Sequence, residues 1–225
     1  MNILSRTLRL TLWIAGGIAL VVVLFLLALL LALRHEPSFY RKALAANPAE
    51  LAQAGDQLLR RTAALQGATR RKGAWQLTLT ATEINGWLAF DLPRNHPHLL
   101  PPMFHEPRVA IAPQTLKVAC RVDHGTLSGV LHLVVEPTLL RPNVVALRFV
   151  QARLGLVPLP LQRFLERISQ VARDLNLRLE WRQSGGDPVA VLSPAEEGSD
   201  GWNVVLETLR LGEGEIFLAG SSRGQ

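Results

Sequence analysis

The chain has 225 residues, of which 48% are apolar and 19% charged, with a single cysteine, Cys120. One cysteine excludes an internal disulfide and a multi-cysteine zinc centre, and the apolar content excludes a disordered chain. The net charge of +6 comes from 21 arginines and three lysines spread along the whole chain. The tight basic cluster Arg60, Arg61, Arg70, Arg71 and Lys72 carries no interleaved aromatics, so nucleic acid is not an expected partner.

Residues 1–9 form a short basic tail with Arg6 and Arg9. Residues 10–33 then hold 21 apolar residues in 24 and no charge. As a helix this block would be about 36 Å long, enough to cross a hydrocarbon core of about 30 Å. Trp13 near one end, and Phe39 and Tyr40 beyond the other, stand where interfacial aromatics are expected. A cleaved signal peptide has a shorter apolar core, roughly 7–15 residues, and Leu30-Leu31-Ala32 is a poor cleavage site. The block therefore reads as an uncleaved transmembrane anchor. Arg34, Arg41 and Lys42 follow it, so a literal count of flanking charge favours a cytoplasmic domain. Against that count, a basic tip before a long apolar run is how a signal anchor begins. The expected placement is in the inner (cytoplasmic) membrane, N-terminus in, with the domain extracytoplasmic and drawn to anionic headgroups.

Residues 34–72 read as a membrane-proximal helix and basic linker. Asn47 is an N-cap candidate, Pro48 suits the first helical position, and Glu50 lies in the first turn. Leu44, Leu51, Leu58 and Leu65 recur every seven residues until Gly67, which reads as the stop. The pattern fits an amphipathic helix packed on its own domain better than a coiled coil between two copies.

Residues 73–225 read as one globular domain. Trp75, Leu77 and Leu79 alternate as a strand does. Thr80-Ala-Thr-Glu83 is a capping box opening a short helix, with Ile84, Trp87 and Leu88 on one face. Residues 91–107 hold five of the 14 prolines and three of the six histidines, and read as an irregular loop.

A β-meander is expected from Arg108 onward. Leu116, Val118, Cys120 and Val122 line one strand, and Asp123-His124-Gly125 has turn chemistry. Leu127, Leu131, Leu133 and Val135 line the next strand, which Pro137 and Pro142 end; Val145, Leu147 and Phe149 line the one after. Residues 161–176 carry a continuous apolar stripe through Phe164, Leu165, Ile168 and Ala172, expected to pack on the sheet face of Val118, Leu131 and Leu147. Leu177, Leu179 and Trp181, a Gly-rich turn at 185–186 and further short strands finish the chain. The expected fold class is α+β: an N-terminal transmembrane helix, then an antiparallel, curved sheet with packed amphipathic helices.

Three segments together carry a likeness: Glu36-Pro37-Ser38-Phe39-Tyr40 after the apolar block, Thr82-Glu83-Ile84-Asn85-Gly86-Trp87-Leu88 after a strand, and Leu154-Gly155-Leu156-Val157-Pro158-Leu159-Pro160 before a helix. In this order they resemble the YpmS-like membrane-anchored bacterial proteins and related envelope proteins. The resemblance implies an N-terminal anchor and an extracytoplasmic domain, and it supplies no catalytic residues.

No catalytic motif is present, and a non-enzymatic role is expected, with no cofactor. His96, His98 and His105 are the best metal candidates, but their spacing matches no standard site and they read as solvated loop residues. Asn85 lacks a local reason; a buried hydrogen bond and a partner contact fit it equally. A surplus of apolar residues on the second face of the meander marks Val130, Val134, Val144, Ala146, Val150 and Leu154 as candidates for an apolar groove. Either the helix of residues 51–65 folds back across that face, or the face holds a lipid or another apolar ligand near the bilayer. The alternative function is a structural or assembly partner of envelope protein complexes, without a ligand of its own.

Overall fold

A computed structural model describes residues 24, 27, 28, 31–124, 127–174, 177–194 and 204–223, with the backbone alone at His124, Leu127, Arg163, Phe164 and Arg167. Most of the expected anchor lies outside these residues. Its described members, Leu24, Leu27, Ala28 and residues 31–33, are helical. Among the described residues no helix is long and apolar enough to cross a membrane.

Helix α1 (Ser38–Leu44) and helix α2 (Pro48–Thr69) follow. Asn47 caps α2 as expected, its side chain accepting from the Ala49 N–H at 2.9 Å. Gly67 does not end α2, which runs on to Thr69; a helical glycine costs only about 1 kcal/mol against alanine. Strand β1 (Gly73–Thr80) leads into α3 (Ala81–Gly86) through a complete capping box. The Glu83 N–H donates to Thr80 Oγ1 at 3.1 Å, and the Thr80 N–H donates to Glu83 Oε2 at 2.8 Å. The helix continues through a π-helical turn (Trp87–Asp91) into α4 (Leu92–Asn95) and a 3-10 turn (Pro97–Leu99). The expected loop is thus half helical.

The larger sheet runs β2 (Phe104–Ala112), β3 (Thr115–His124), β4 (Leu127–Arg141), β5 (Val144–Leu154), then β8 (Asp187–Pro194) and β7 (Leu177–Ser184). A short β6 (Val157–Pro158) pairs with the end of β5. Every one of these pairings is antiparallel. Two boundaries differ from expectation. Strand β2 begins four residues before Arg108, and Pro137 lies inside β4 rather than ending it. At Pro137 the strand has passed the end of β3 and pairs only with β5, and a strand with one neighbour tolerates a missing N–H. A smaller sheet pairs β1 with β10 (Glu215–Ser222), and β10 with β9 (Val204–Leu211). It meets the larger sheet at the β4–β5 turn, where the Asn143 N–H donates to the Leu206 carbonyl at 3.0 Å.

One face of the larger sheet is covered by α5 (Gln162–Asp174). Leu161 and Ile168 pack there on Val135, Phe149 and Ala190, beside Leu133, Leu147 and Trp181. The helix docks on the expected face; the side chain of Phe164 lies outside the described residues.

The opposite face is covered over β3 and β4 by α1, not by α2. Tyr40, fully buried, packs with Ala119 and Val130, flanked by Phe39 and Leu44. Helix α2 instead buries Leu51, Ala54, Gly55 and Leu58, and its neighbours are α3, the π-helical turn and β1. A Cβ on Gly86 would lie 2.1 Å from the Leu51 carbonyl oxygen and 2.5 Å from the Gly55 nitrogen, so only glycine lets these helices meet. Helices α1 and α2 both pack on the rest of the fold, α1 on the sheet and α2 on α3 and β1.

Candidate functional site

The six groove candidates do not share one face. Val130 and Val134 flank His132 on the α1 side of β4. Val144 and Ala146 lie on the same side, in a buried cluster with Val189 and Val191. A β-bulge interrupts β5, because Val134 pairs with Gln151 while Val135 pairs with Phe149. The extra residue, Val150, is exposed. Beyond it the pleat is inverted, so Ala152 and Leu154 pair with Leu133 and Leu131 on the α5 side. A one-residue insertion flips every later side chain, and the alternation in β5 carries no mark of where it falls.

A different cavity is the better candidate. It has a volume of about 450 Å3 and sits where the π-helical turn and the proline-rich segment meet the start of β2. Leu88, Ala89, Leu92, Leu100, Phe104 and five prolines make its wall mainly apolar. Asn85 fixes the helical side of the wall. Its amide donates to the Val109 carbonyl at 2.9 Å and accepts from the Val109 N–H at 2.7 Å. This bidentate contact satisfies the outer edge of β2 as a further strand would, and it explains Asn85 as a buried hydrogen-bonding residue.

The β2 side of the wall is irregular. The register slips between His105 and Arg108, and Glu106 adopts φ +49°. A positive φ at a non-glycine residue costs on the order of 1 kcal/mol or more and needs surrounding support. Two bonds supply it. The Tyr40 hydroxyl donates to the Glu106 carbonyl at 3.0 Å, and the Glu106 carboxylate pairs with Arg121 at 3.0 Å. Arg121 also binds Glu36 at 3.0 Å, which raises the pKa of its guanidinium. Burial, reinforced by Glu106, pushes the Tyr40 hydroxyl up to about 12.

Arg108 also lines the cavity and is only 8% exposed. One guanidinium N–H donates to the Pro107 carbonyl at 2.8 Å, while Nε is buried with no partner. Among the described residues no carboxylate forms an ion pair with it, and Glu106, whose carboxylate is held by Arg121, attracts it only from a distance. Burial accordingly pushes its pKa down. No sequence signal isolates this arginine among 21.

The cavity lies at the end of the sheet where the apolar block arrives. Phe104 pairs with Val122, and Val122 with Gly129, so two ladder steps of about 5 Å separate Phe104 from Gly129. A Cβ on Gly129 would lie 2.8 Å from the Leu33 carbonyl oxygen. A Cβ on Gly155, at φ +59°, would lie 2.1 Å from that of Ala32. The Leu156 N–H closes this junction, donating to the Ala32 carbonyl at 2.9 Å.

Of the metal candidates, His96 and His98 lie edge-on with ring centroids 6.3 Å apart, and His105 has a separate partner. His96 lies 3.7 Å from Asp91 and stacks near Trp87, while His105 lies 3.8 Å from Asp123. Among the described residues no group of three or more His, Cys, Asp or Glu is placed to hold a metal ion. Cys120 is free, and burial pushes its thiol up to about 12, away from the reactive thiolate form.

No family model, no curated protein and no solved structure matches the chain.

Proposed function

We propose that the chain is a single-pass membrane protein of non-enzymatic function, whose domain rests on the bilayer and holds an acyl chain in the cavity beside β2. The observation that carries this reading is a coincidence of position. The largely apolar cavity opens at the same end of the sheet as the glycine-lined junction that receives residues 32–33. A lipid entering from the bilayer would then travel about 10 Å, two ladder steps along the sheet end. Burying one acyl chain at roughly 25 cal/mol per Å2 of apolar area would contribute several kcal/mol. The uncharged block of residues 10–33 supports the anchor, and the resemblance to the YpmS-like proteins supports the extracytoplasmic placement.

Two measurements test this together. Full-length protein should stay in the membrane pellet after carbonate extraction. In cells fed a diazirine-bearing fatty acid, photolabelled peptides should include residues 88–108, and Leu100→Asp should remove that label. Recovery in the soluble fraction would contradict the anchor. Label confined to residues 10–33 would contradict the cavity and leave a ligand-free role in envelope assembly as the better reading.

A further inference from the structure

Building on that lipid-binding reading, we propose that the cavity beside β2 is selective for a long-chain fatty-acid anion, with the carboxylate on Arg108 and the chain along Leu88, Leu92, Leu100 and Phe104.

One wall of the cavity holds an imbalance. A guanidinium taken out of water is stable only when its donors are met and its charge is compensated. Arg108 has one donor on the Pro107 carbonyl, a buried Nε without a partner, and no ion pair, only the more distant attraction of Glu106. The other ionisable groups at this rim already have partners. Glu106 is held by Arg121, which also holds Glu36, and His105 faces Asp123. Arg108 is therefore the charge at this site left for a ligand, and a planar fork of N–H donors suits a carboxylate.

The rest of the wall defines the remainder of the ligand. Apart from His105 and Glu106 beside Arg108, leucines, phenylalanine and five prolines make up the wall and offer hardly any hydrogen bonds, so the body of the ligand must be apolar. A volume of about 450 Å3 lies in the lower part of the range for ligand pockets, roughly 300–1,000 Å3. It suits one chain rather than the two of a phospholipid. The short path to the glycine junction gives such an amphiphile access from the bilayer, where free fatty acids reside.

The test uses the full chain in maltoside micelles, with scintillation proximity reading radiolabelled oleate and methyl oleate. Both probes carry the same chain and differ in charge. Oleate should bind at least tenfold more tightly than the ester, and Arg108→Gln should bring the two affinities together. Ala89→Trp, which fills the cavity and keeps the arginine, should remove both. Equal binding of acid and ester by the native chain would overturn the anion selectivity while leaving the lipid reading intact. Oleate binding unchanged in Arg108→Gln would do the same. If Arg108→Gln does not fold, Ala89→Trp decides, and retained oleate binding there overturns the proposal. Failure of both probes to bind the native chain would overturn this inference and the lipid reading together.

Discussion

Two buried polar side chains meet the same edge strand one residue apart, and they are treated in opposite ways. Asn85 spends both ends of its amide on the backbone of Val109, closing the outer edge of β2. Arg108, next to Val109 along the strand, is just as hidden but keeps an unpartnered nitrogen and forms no ion pair. A fully satisfied buried group holds a fold together. An unsatisfied one weakens it and calls for an explanation. The contrast divides this region into a structural half around Asn85 and a ligand-facing half around Arg108.

The largest expected effect lies in the structural half. Gly86→Ala places a methyl 2.1 Å from the Leu51 carbonyl oxygen, a backbone atom that cannot turn aside. The helix pair must separate, at a cost of about 4 kcal/mol or more, measured by denaturant unfolding. Asn85→Ala should follow at about 2–3 kcal/mol, because it strands a buried N–H and a buried carbonyl at once. A loss below about 1 kcal/mol would mean that solvent or a neighbour replaces the amide, and the structural half of the comparison would fall.

Gly155→Ala tests the other end of the cavity's setting. The Ala32 carbonyl oxygen, 2.1 Å from the added carbon, is relieved only if residues 32–33 lift away, which leaves the φ of +59° to cost about 1–2 kcal/mol. Proteolysis near residues 33–37 should also speed up as the junction opens. Unchanged cleavage would show that residues 32–33 do not depend on the glycine.

His132 sharpens the comparison as a buried group of a third kind. It is 8% exposed, its Nδ1 has no partner, and the Phe39 ring lies edge-on to it. Burial first, then Arg153, lowers its pKa below the ordinary 6.5. The unfolded chain therefore binds a proton that the folded chain refuses. The stability His132 contributes is present above pH 6.5 and is lost as pH falls from there through the folded pKa. His132→Gln should flatten that acid-side slope, read from unfolding midpoints between pH 7 and pH 5. An unchanged slope would assign the loss to other groups.

Much of the scaffold is legible in the residues. The Asn47 cap, the Thr80–Glu83 capping box, β1 and the α5 stripe all obey short-range rules of capping and periodicity. The candidate site is not, for three physical reasons. A bulge at Val150 reverses the pleat of β5 without disturbing its apolar content, so Val144 and Ala146 part from Leu154. The proline-rich stretch 91–107 reads as a loop because proline marks breaks, yet here it lines a cavity between helix and strand. Arg108 looks like any other arginine until β2, the π-helical turn and α1 close around it. Asn85 stood out by lacking a local partner, and its partner lies 24 residues away.

The central claim is that Arg108 is buried for a ligand and not for the fold. Unfolding of Arg108→Met beside the native chain, in micelles with and without oleate, tests it most directly. Without oleate the variant should be as stable as the native chain or more so, because a buried unpaired charge gives way to an apolar side chain. Saturating oleate should stabilise the native chain, by about 2.7 kcal/mol at a hundredfold excess over Kd, and leave the variant unmoved. A variant that loses 2 kcal/mol or more without oleate, yet responds to oleate as the native chain does, would contradict the account.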